Sequence, residues 1–113
     1  MAEKSTILKN LRLELRKGTL VLAVLSQLRV KHYGYSLVES LNGKGLVIDQ
    51  NTLYPLLRRL DTQGLLDSTW EVMDPRPRKY YILSTMGTEV LQELIESYHT
   101  NYGVISTLLK EEL

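Results

Sequence analysis

Side chains able to do covalent or metal chemistry are scarce in these 113 residues. There is no cysteine, and the two histidines, His32 and His99, fall in different predicted elements. A zinc-type site would need further His, Asp or Glu ligands brought to either of them. No Gly-rich phosphate loop is present. An enzyme would have little to work with, and no metal or organic cofactor is expected. The absence of cysteine also excludes a disulfide framework and thiolate nucleophiles. What the sequence does offer is a set of groups that read a polyanion. Asn51, Thr52, Arg58 and Arg59 lie on one predicted helix, and Arg76, Arg78 and Lys79 lie around a predicted hairpin tip. Arg and Asn can hydrogen-bond base edges in the major groove of B-DNA, and basic side chains hold phosphates.

These residues need elements to position them. The spacing predicts a helix from about Asn51 to Gln63, with Leu53, Leu56, Leu57 and Leu60 as an apolar stripe. Asn51, Pro55 and Arg58 fall opposite, flanked by Thr52 and Arg59. With Thr52 as cap, Pro55 would lie at the third helical position, where its missing N–H costs nothing. Two candidate strands follow, Leu65 to Met73 and Lys79 to Leu83, joined by Asp74, Pro75, Arg76 and Pro77. Tyr81 and Leu83 would share one face of the second strand, Tyr80 and Ile82 the other.

Upstream, residues 6–28 carry leucines and valines at helical spacing, with Gly18 dividing them into two helices or one helix with a weak point. Val21 to Leu25 is apolar nearly all round, as in a central helix. Lys9, Arg12, Arg16 and Lys17 make a basic arm before it. Tyr33 to Leu41 fits a second helix, stopped by Asn42, Gly43, Lys44 and Gly45. Lys31, His32 and Tyr33 at its start are candidate backbone contacts, beside N–H groups free to meet a phosphate.

Downstream, Ser84 or Thr85 caps a last helix that reaches Leu109 or beyond. Its apolar positions include Leu91, Leu94, Ile95, Tyr98, Tyr102, Ile105 and Leu109. About 25 residues of helix span about 37 Å, more than the preceding domain can cover, so a partner helix is expected. Residues 1–84 are taken as a DNA-binding domain and 85–113 as a dimerisation helix. Three helices, a β-hairpin and a long helix make a mainly α fold, a winged helix-turn-helix with a C-terminal helix.

Charge follows the same division. Residues 1–81 hold 13 basic and 8 acidic residues, whereas 82–113 hold one basic and five acidic. One part is suited to a polyanion and the other is not. No apolar run is long enough to cross a bilayer. A soluble cytoplasmic protein is expected, with no membrane partner.

Several aromatic residues admit two readings. Trp70 could stack on a ligand or on a neighbouring subunit, but a lone strand tryptophan more often caps a small core. Tyr54 could hydrogen-bond a phosphate or cover the helix edge. Tyr98 and Tyr102, one turn apart, could line an effector pocket or pack in an interface, and packing is the commoner use.

The chain resembles the PadR-like transcriptional regulators, in particular their short subgroup with one C-terminal helix. The resemblance is carried by Leu15-Arg16-Lys17-Gly18-Thr19-Leu20, by Tyr33-Gly34-Tyr35 and, most specifically, by Asn51-Thr52-Leu53-Tyr54-Pro55-Leu56-Leu57-Arg58-Arg59-Leu60. Gln63-Gly64-Leu65-Leu66, Arg78-Lys79-Tyr80-Tyr81 and Leu83-Ser84-Thr85-Met86-Gly87 extend it over about residues 14–109. The resemblance implies a dimeric regulator, expected to be a repressor, on a pseudo-palindromic double-stranded operator. It places Asn51, Thr52, Tyr54, Pro55 and Arg58 at or near DNA, Arg78 and Lys79 in the wing, and Tyr81 in the wing's core. It also implies that the C-terminal helix packs with the first helix of the other subunit. Ile82 stands where the family often has a basic residue. Some small members bind planar drugs with a tryptophan of the last helix. Here the single tryptophan is Trp70, so multidrug sensing does not carry over, and a small-molecule effector remains without an identity. The other reading is a winged-helix interaction module that does not bind specific DNA.

Overall fold

A computed structural model describes residues 3–72 and 77–110. The chain forms α1 (Lys4–Gln27), β1 (His32–Tyr33), α2 (Gly34–Gly43), α3 (Gln50–Thr62), β2 (Leu66–Glu71), β3 (Arg78–Leu83) and α4 (Thr85–Lys110). It is a mainly helical winged helix-turn-helix with a long C-terminal helix. The strands form one antiparallel sheet in the order β1-β3-β2.

The core is built from the apolar runs. Val24, Leu25 and Leu28 from the end of α1 meet Leu37 and Leu41 of α2, and Leu53, Leu57 and Leu60 of α3. Ile48, Leu66, Tyr81 and Leu91 close it. Gly18 does not divide α1, which runs unbroken because its neighbours Leu20 to Ala23 pack on the core.

Three sequence expectations are corrected. First, α2 begins at Gly34, not Tyr33. His32 and Tyr33 are drawn into the sheet instead, opposite Tyr81 and Tyr80 of β3. Second, α3 begins at Gln50 and its cap is Asp49, not Thr52. The Asp49 carboxylate accepts a hydrogen bond from the Thr52 amide at 2.8 Å. Pro55 is therefore the sixth helical residue, in the second turn, where its missing N–H leaves the Asn51 carbonyl without a helical partner. Asn51 is exposed, so water can serve that carbonyl. Third, β2 is shorter than expected, ending at Glu71. Of the expected hairpin connection, Asp74, Pro75 and Arg76 lie outside the described residues, as does Met73.

Two turns set the angles of α3. Gly45, with φ +99°, ends α2, and the Leu46 amide bonds back to the Leu41 carbonyl at 2.9 Å. Gly64, with φ +82°, ends α3, and the Leu65 amide bonds to the Leu60 carbonyl at 3.0 Å. Left-handed backbone of this kind favours glycine. Ser84 caps α4, accepting from the Gly87 amide at 3.0 Å while donating to the Gly64 carbonyl at 2.7 Å. The start of α4 is thereby tied to the end of α3.

Among the described residues no helix is long and apolar enough to cross a membrane. The same residues bring no three metal-ligating side chains together.

Candidate nucleic-acid interface

The hydrophobic stripe of α3 decides where its polar side points. With Leu53, Leu57 and Leu60 inside, Asn51, Thr52, Pro55, Arg58 and Arg59 are all exposed. Arg58 and Arg59 are not held in the interior. Tyr54 lies at the edge of this face, half-buried, because it packs over Gly34. A Cβ on Gly34 would come within 2.2 Å of the Tyr54 ring. Packing therefore accounts for the ring, while Tyr54 still lines the cleft beside α3.

The sheet sorts the wing's basic residues onto two faces. Leu66, Ser68 and Trp70 stand opposite Leu83, Tyr81 and Lys79, and the buried Tyr81 marks this as the inner face. Ser68 donates to the Asp61 carboxylate at 3.0 Å, which ties the wing to the last turn of α3. Lys79 Nζ lies 3.5 Å from the same carboxylate. It also lies 5.7 Å from the centroid of the Trp70 ring and 5.6 Å from that of Tyr81. Burial raises the Tyr81 phenol above its ordinary range, Lys79 lowers it, and Asp61, Tyr54 and Arg58 act on it more weakly. Those groups are one electrostatic neighbourhood.

On the outer face, Tyr33 stacks on Tyr80 with centroids 4.1 Å apart, and their hydroxyls are hydrogen-bonded. That bond, with desolvation and Glu71 adding to it, raises the Tyr80 phenol well above its ordinary range. Arg78 lies 5.0 Å over the Tyr33 ring and Lys31 5.1 Å over the Tyr80 ring. Lys31, Tyr33 and Arg78 thus form a second basic and aromatic group, and Tyr33 and Arg78 also border the cleft that Lys79 lines. Arg76 lies outside the described residues.

Trp70 does not cap a core. It is 60% exposed, because β2 carries it past the last apolar layer, where only Lys79 stands across from it. With Tyr35, Tyr54, Pro77 and Lys79 it walls a cleft of about 550 Å³ between the wing, the start of α2 and α3.

The residues expected at a dimer interface divide. Leu91 is 2% exposed, already inside the core of its own chain, and so has no surface for a partner. Leu94 and Ile95 are half-buried against that core. Tyr98, Tyr102, Ile105 and Leu109 are exposed, and Tyr98 stacks on Tyr102 with centroids 6.1 Å apart. A crevice of about 540 Å³ runs between α1 and α4, lined by Leu15, Leu22, Leu94, Tyr98, Tyr102 and Ile105 among others. Reading α4 by period alone missed the α1 contribution. The signal was there: Leu8, Leu11 and Leu15 are an apolar run at helical spacing, ahead of the leucines and valines of the core.

Comparison with known proteins agrees with this geometry. The profile of the family described as "Transcriptional regulator PadR-like family" matches residues 21–93. A curated relative, transcriptional regulator Rv3488 of Mycobacterium tuberculosis, is 38% identical over 61 residues, 54% of this chain and 57% of that protein. The match thus spans little more than half of that relative's length. The crystal structure of a PadR family transcriptional regulator from Eggerthella lenta is 47% identical, with a TM-score of 0.90 over 96% of both chains. Bacillus subtilis PadR, solved in complex with operator DNA, shares the fold at a TM-score of 0.63 and 22% identity, over 68% of this chain and 45% of its own. The chain belongs to the PadR-like family of transcriptional regulators.

Proposed function

We propose that this protein is a repressor that binds a pseudo-palindromic DNA operator as a homodimer, through α3 and the wing of each copy. The observation that carries the reading is the exposed polar side of α3, with Asn51, Thr52, Arg58 and Arg59 outward and the wing beside it. A single helix fits the B-DNA major groove, where Asn and Arg discriminate bases. The helix start, with Asn51 and Thr52, is the end that meets base edges, and Arg58 and Arg59 reach bases or phosphates further along. Lys31, Tyr33 and Arg78 supply the flanking backbone contacts. Support also comes from a relative of the same fold solved on operator DNA.

Dimerisation supplies the second half-site. Residues 1–84 are the DNA-binding unit in this reading and 85–113 the dimerisation helix, with the first half of α1 joining it. Selection from a random duplex pool should enrich an inverted repeat whose half-sites lie about 34 Å apart. Replacing Arg58 and Arg59 together by Ala should then weaken binding to that duplex by at least about tenfold, since each good base contact contributes about 1–3 kcal/mol. The thermal midpoint should hold, because both side chains are exposed. Unchanged affinity would refute the assignment of α3. Failure to enrich any sequence, with no salt-dependent duplex binding, would leave a winged-helix interaction module instead.

A further inference from the structure

The link between α2 and α3 sets how α3 is launched, and a side chain from α1 takes part in holding it. Along α1, Arg16 is the first described residue that is partly covered. The neighbouring Leu15 is 80% exposed, so burial of an apolar side chain is not what settles this turn of the helix. Arg16 lines a groove of about 460 Å³ between α1 and the link, together with Leu13, Leu20, Val47 and Ile48. Its guanidinium donates to the Val47 carbonyl, 31 residues further along the chain. Among the described residues this is the one hydrogen bond from α1 to the link or to α3. The next amide, that of Ile48, donates to the Asn42 side chain of α2 at 2.8 Å. The two bonds grip the oxygen and the nitrogen of a single peptide unit, just before the Asp49 cap. The Thr52 amide does most to hold the Asp49 carboxyl in its charged form, and Arg16 adds to it.

We propose that Arg16 is a positioning residue for DNA recognition: by clamping the peptide between Val47 and Ile48 it lets α1 set the entry of α3, without touching DNA itself. This rests on the DNA-binding reading above and deepens it by naming a residue that aims the reading helix. A peptide unit is planar, so fixing both its oxygen and its nitrogen fixes the plane from which the cap residue departs. Asn51 and Thr52 lie in the first turn of the helix launched from that plane. Val47 is 72% exposed, so packing of its side chain does not hold this stretch of backbone. Base contacts depend on hydrogen-bond distance and angle, whereas attraction to phosphates survives a small displacement. Loss of the clamp therefore costs specificity before it costs general affinity. Arginine suits the task, because its rigid fork of five donors can hold a carbonyl and still face a carboxylate. Lysine offers one compact ammonium on a flexible stem.

The test separates aiming a helix from touching DNA. The full chain is titrated, over a range of salt, with the duplex that selection enriches and with a scrambled duplex of the same length and composition. Arg16→Ala should bind the enriched duplex about tenfold more weakly, the worth of one misaligned base contact. It should bind the scrambled duplex as the parent chain does, with the same salt slope. Arg16→Lys should lose less on the enriched duplex and nothing on the scrambled one, and it carries the same readouts if Arg16→Ala does not fold. Lys17→Ala removes an equal charge from the lining of the same groove and should match the parent on both duplexes. In the free protein the amide resonances of Ile48, Asp49 and Thr52 should shift in Arg16→Ala and hold in Lys17→Ala. Equal losses on both duplexes, with a salt slope lower by about one per lost phosphate contact, would make Arg16 a phosphate contact and overturn the proposal. An unchanged ratio of the two affinities, with only the thermal midpoint lowered, would overturn it as well. Both results leave DNA binding standing. Failure to enrich any duplex overturns the sequence-specific reading, and the positioning role with it.

Discussion

Single residues decide where α3 begins and which way it faces. The run Asp49-Gln50-Asn51-Thr52 holds three residue types that can cap a helix, and the local pattern does not rank them. Asp49 takes the role because Ile48, just before it, is buried and its amide is held by the Asn42 side chain at 2.8 Å. The anchored link sets the entry to the helix, and Asn51 and Thr52 are left free on its outer side. Trp70 was illegible for a similar reason, since its burial depends on how far the wing overhangs the core. The outward turn of Arg58 and Arg59 was legible, because the leucine stripe leaves them no other direction. The cap has a pH signature. The Thr52 amide, then its hydroxyl, hold the Asp49 carboxyl below its ordinary 3.8, with Arg16 adding a little. A carboxyl depressed by folding contributes stability that is complete above the ordinary value and is lost as pH falls through the folded one. Urea midpoints taken from about pH 6 down to about pH 3 should therefore fall more steeply for the parent chain than for Asp49→Asn, which keeps a capping oxygen that does not titrate. Parallel curves would show that the cap is not linked to folding.

At the scale of elements, what could be read in advance was whatever has a local period. All four helices and both hairpin strands announce themselves through three-and-four or alternating spacing. β1 does not, because two residues carry no period. It exists only because β3 offers an open edge to His32 and Tyr33. Pro55 shows the reverse case, a local rule overridden. Burial of Leu53, Leu57 and Leu60 carries α3 through a residue that costs it one backbone bond. The joint between α3 and α4 depends on closeness. A Cβ on Gly87 would lie 1.9 Å from the Leu65 carbonyl oxygen, a backbone atom that cannot rotate away. Gly87→Ala must push α4 off the turn after α3, weakening the Ser84 bonds on both sides. The expected cost is about 1–3 kcal/mol, the usual range for an overpacked joint, read from urea unfolding. A loss under about 0.5 kcal/mol would mean that the turn yields freely.

The whole molecule is more extended than a compact chain of its length. Its radius of gyration is 17.0 Å and its extents are 61 × 36 × 24 Å. A compact chain of this length would have a radius of about 13 Å. The excess comes from two helix ends that leave the core in the same region. In α1 every described residue before Arg16 is exposed, and in α4 every residue after Ile95 is exposed except Ser106. Leu8, Leu11, Leu15, Tyr102, Ile105 and Leu109 stand on these ends, apolar and without cover. In the proposed homodimer a second copy meeting the first by a two-fold axis would cover both sets at once, because the same patch on each would serve the other. Sedimentation should then give twice 13.0 kDa, about 26 kDa, at micromolar concentration. Ile105→Asp should shift the protein toward the 13.0 kDa species while its winged core still unfolds cooperatively, since Ile105 makes no part of that core. DNA binding should fall with it. Two tethered half-site contacts gain avidity of about a hundredfold or more over one, and that gain ends when the copies separate. A parent chain that sediments at 13.0 kDa would contradict the pairing of α1 with α4. An Ile105→Asp variant that stays paired would place the seam elsewhere on these helices.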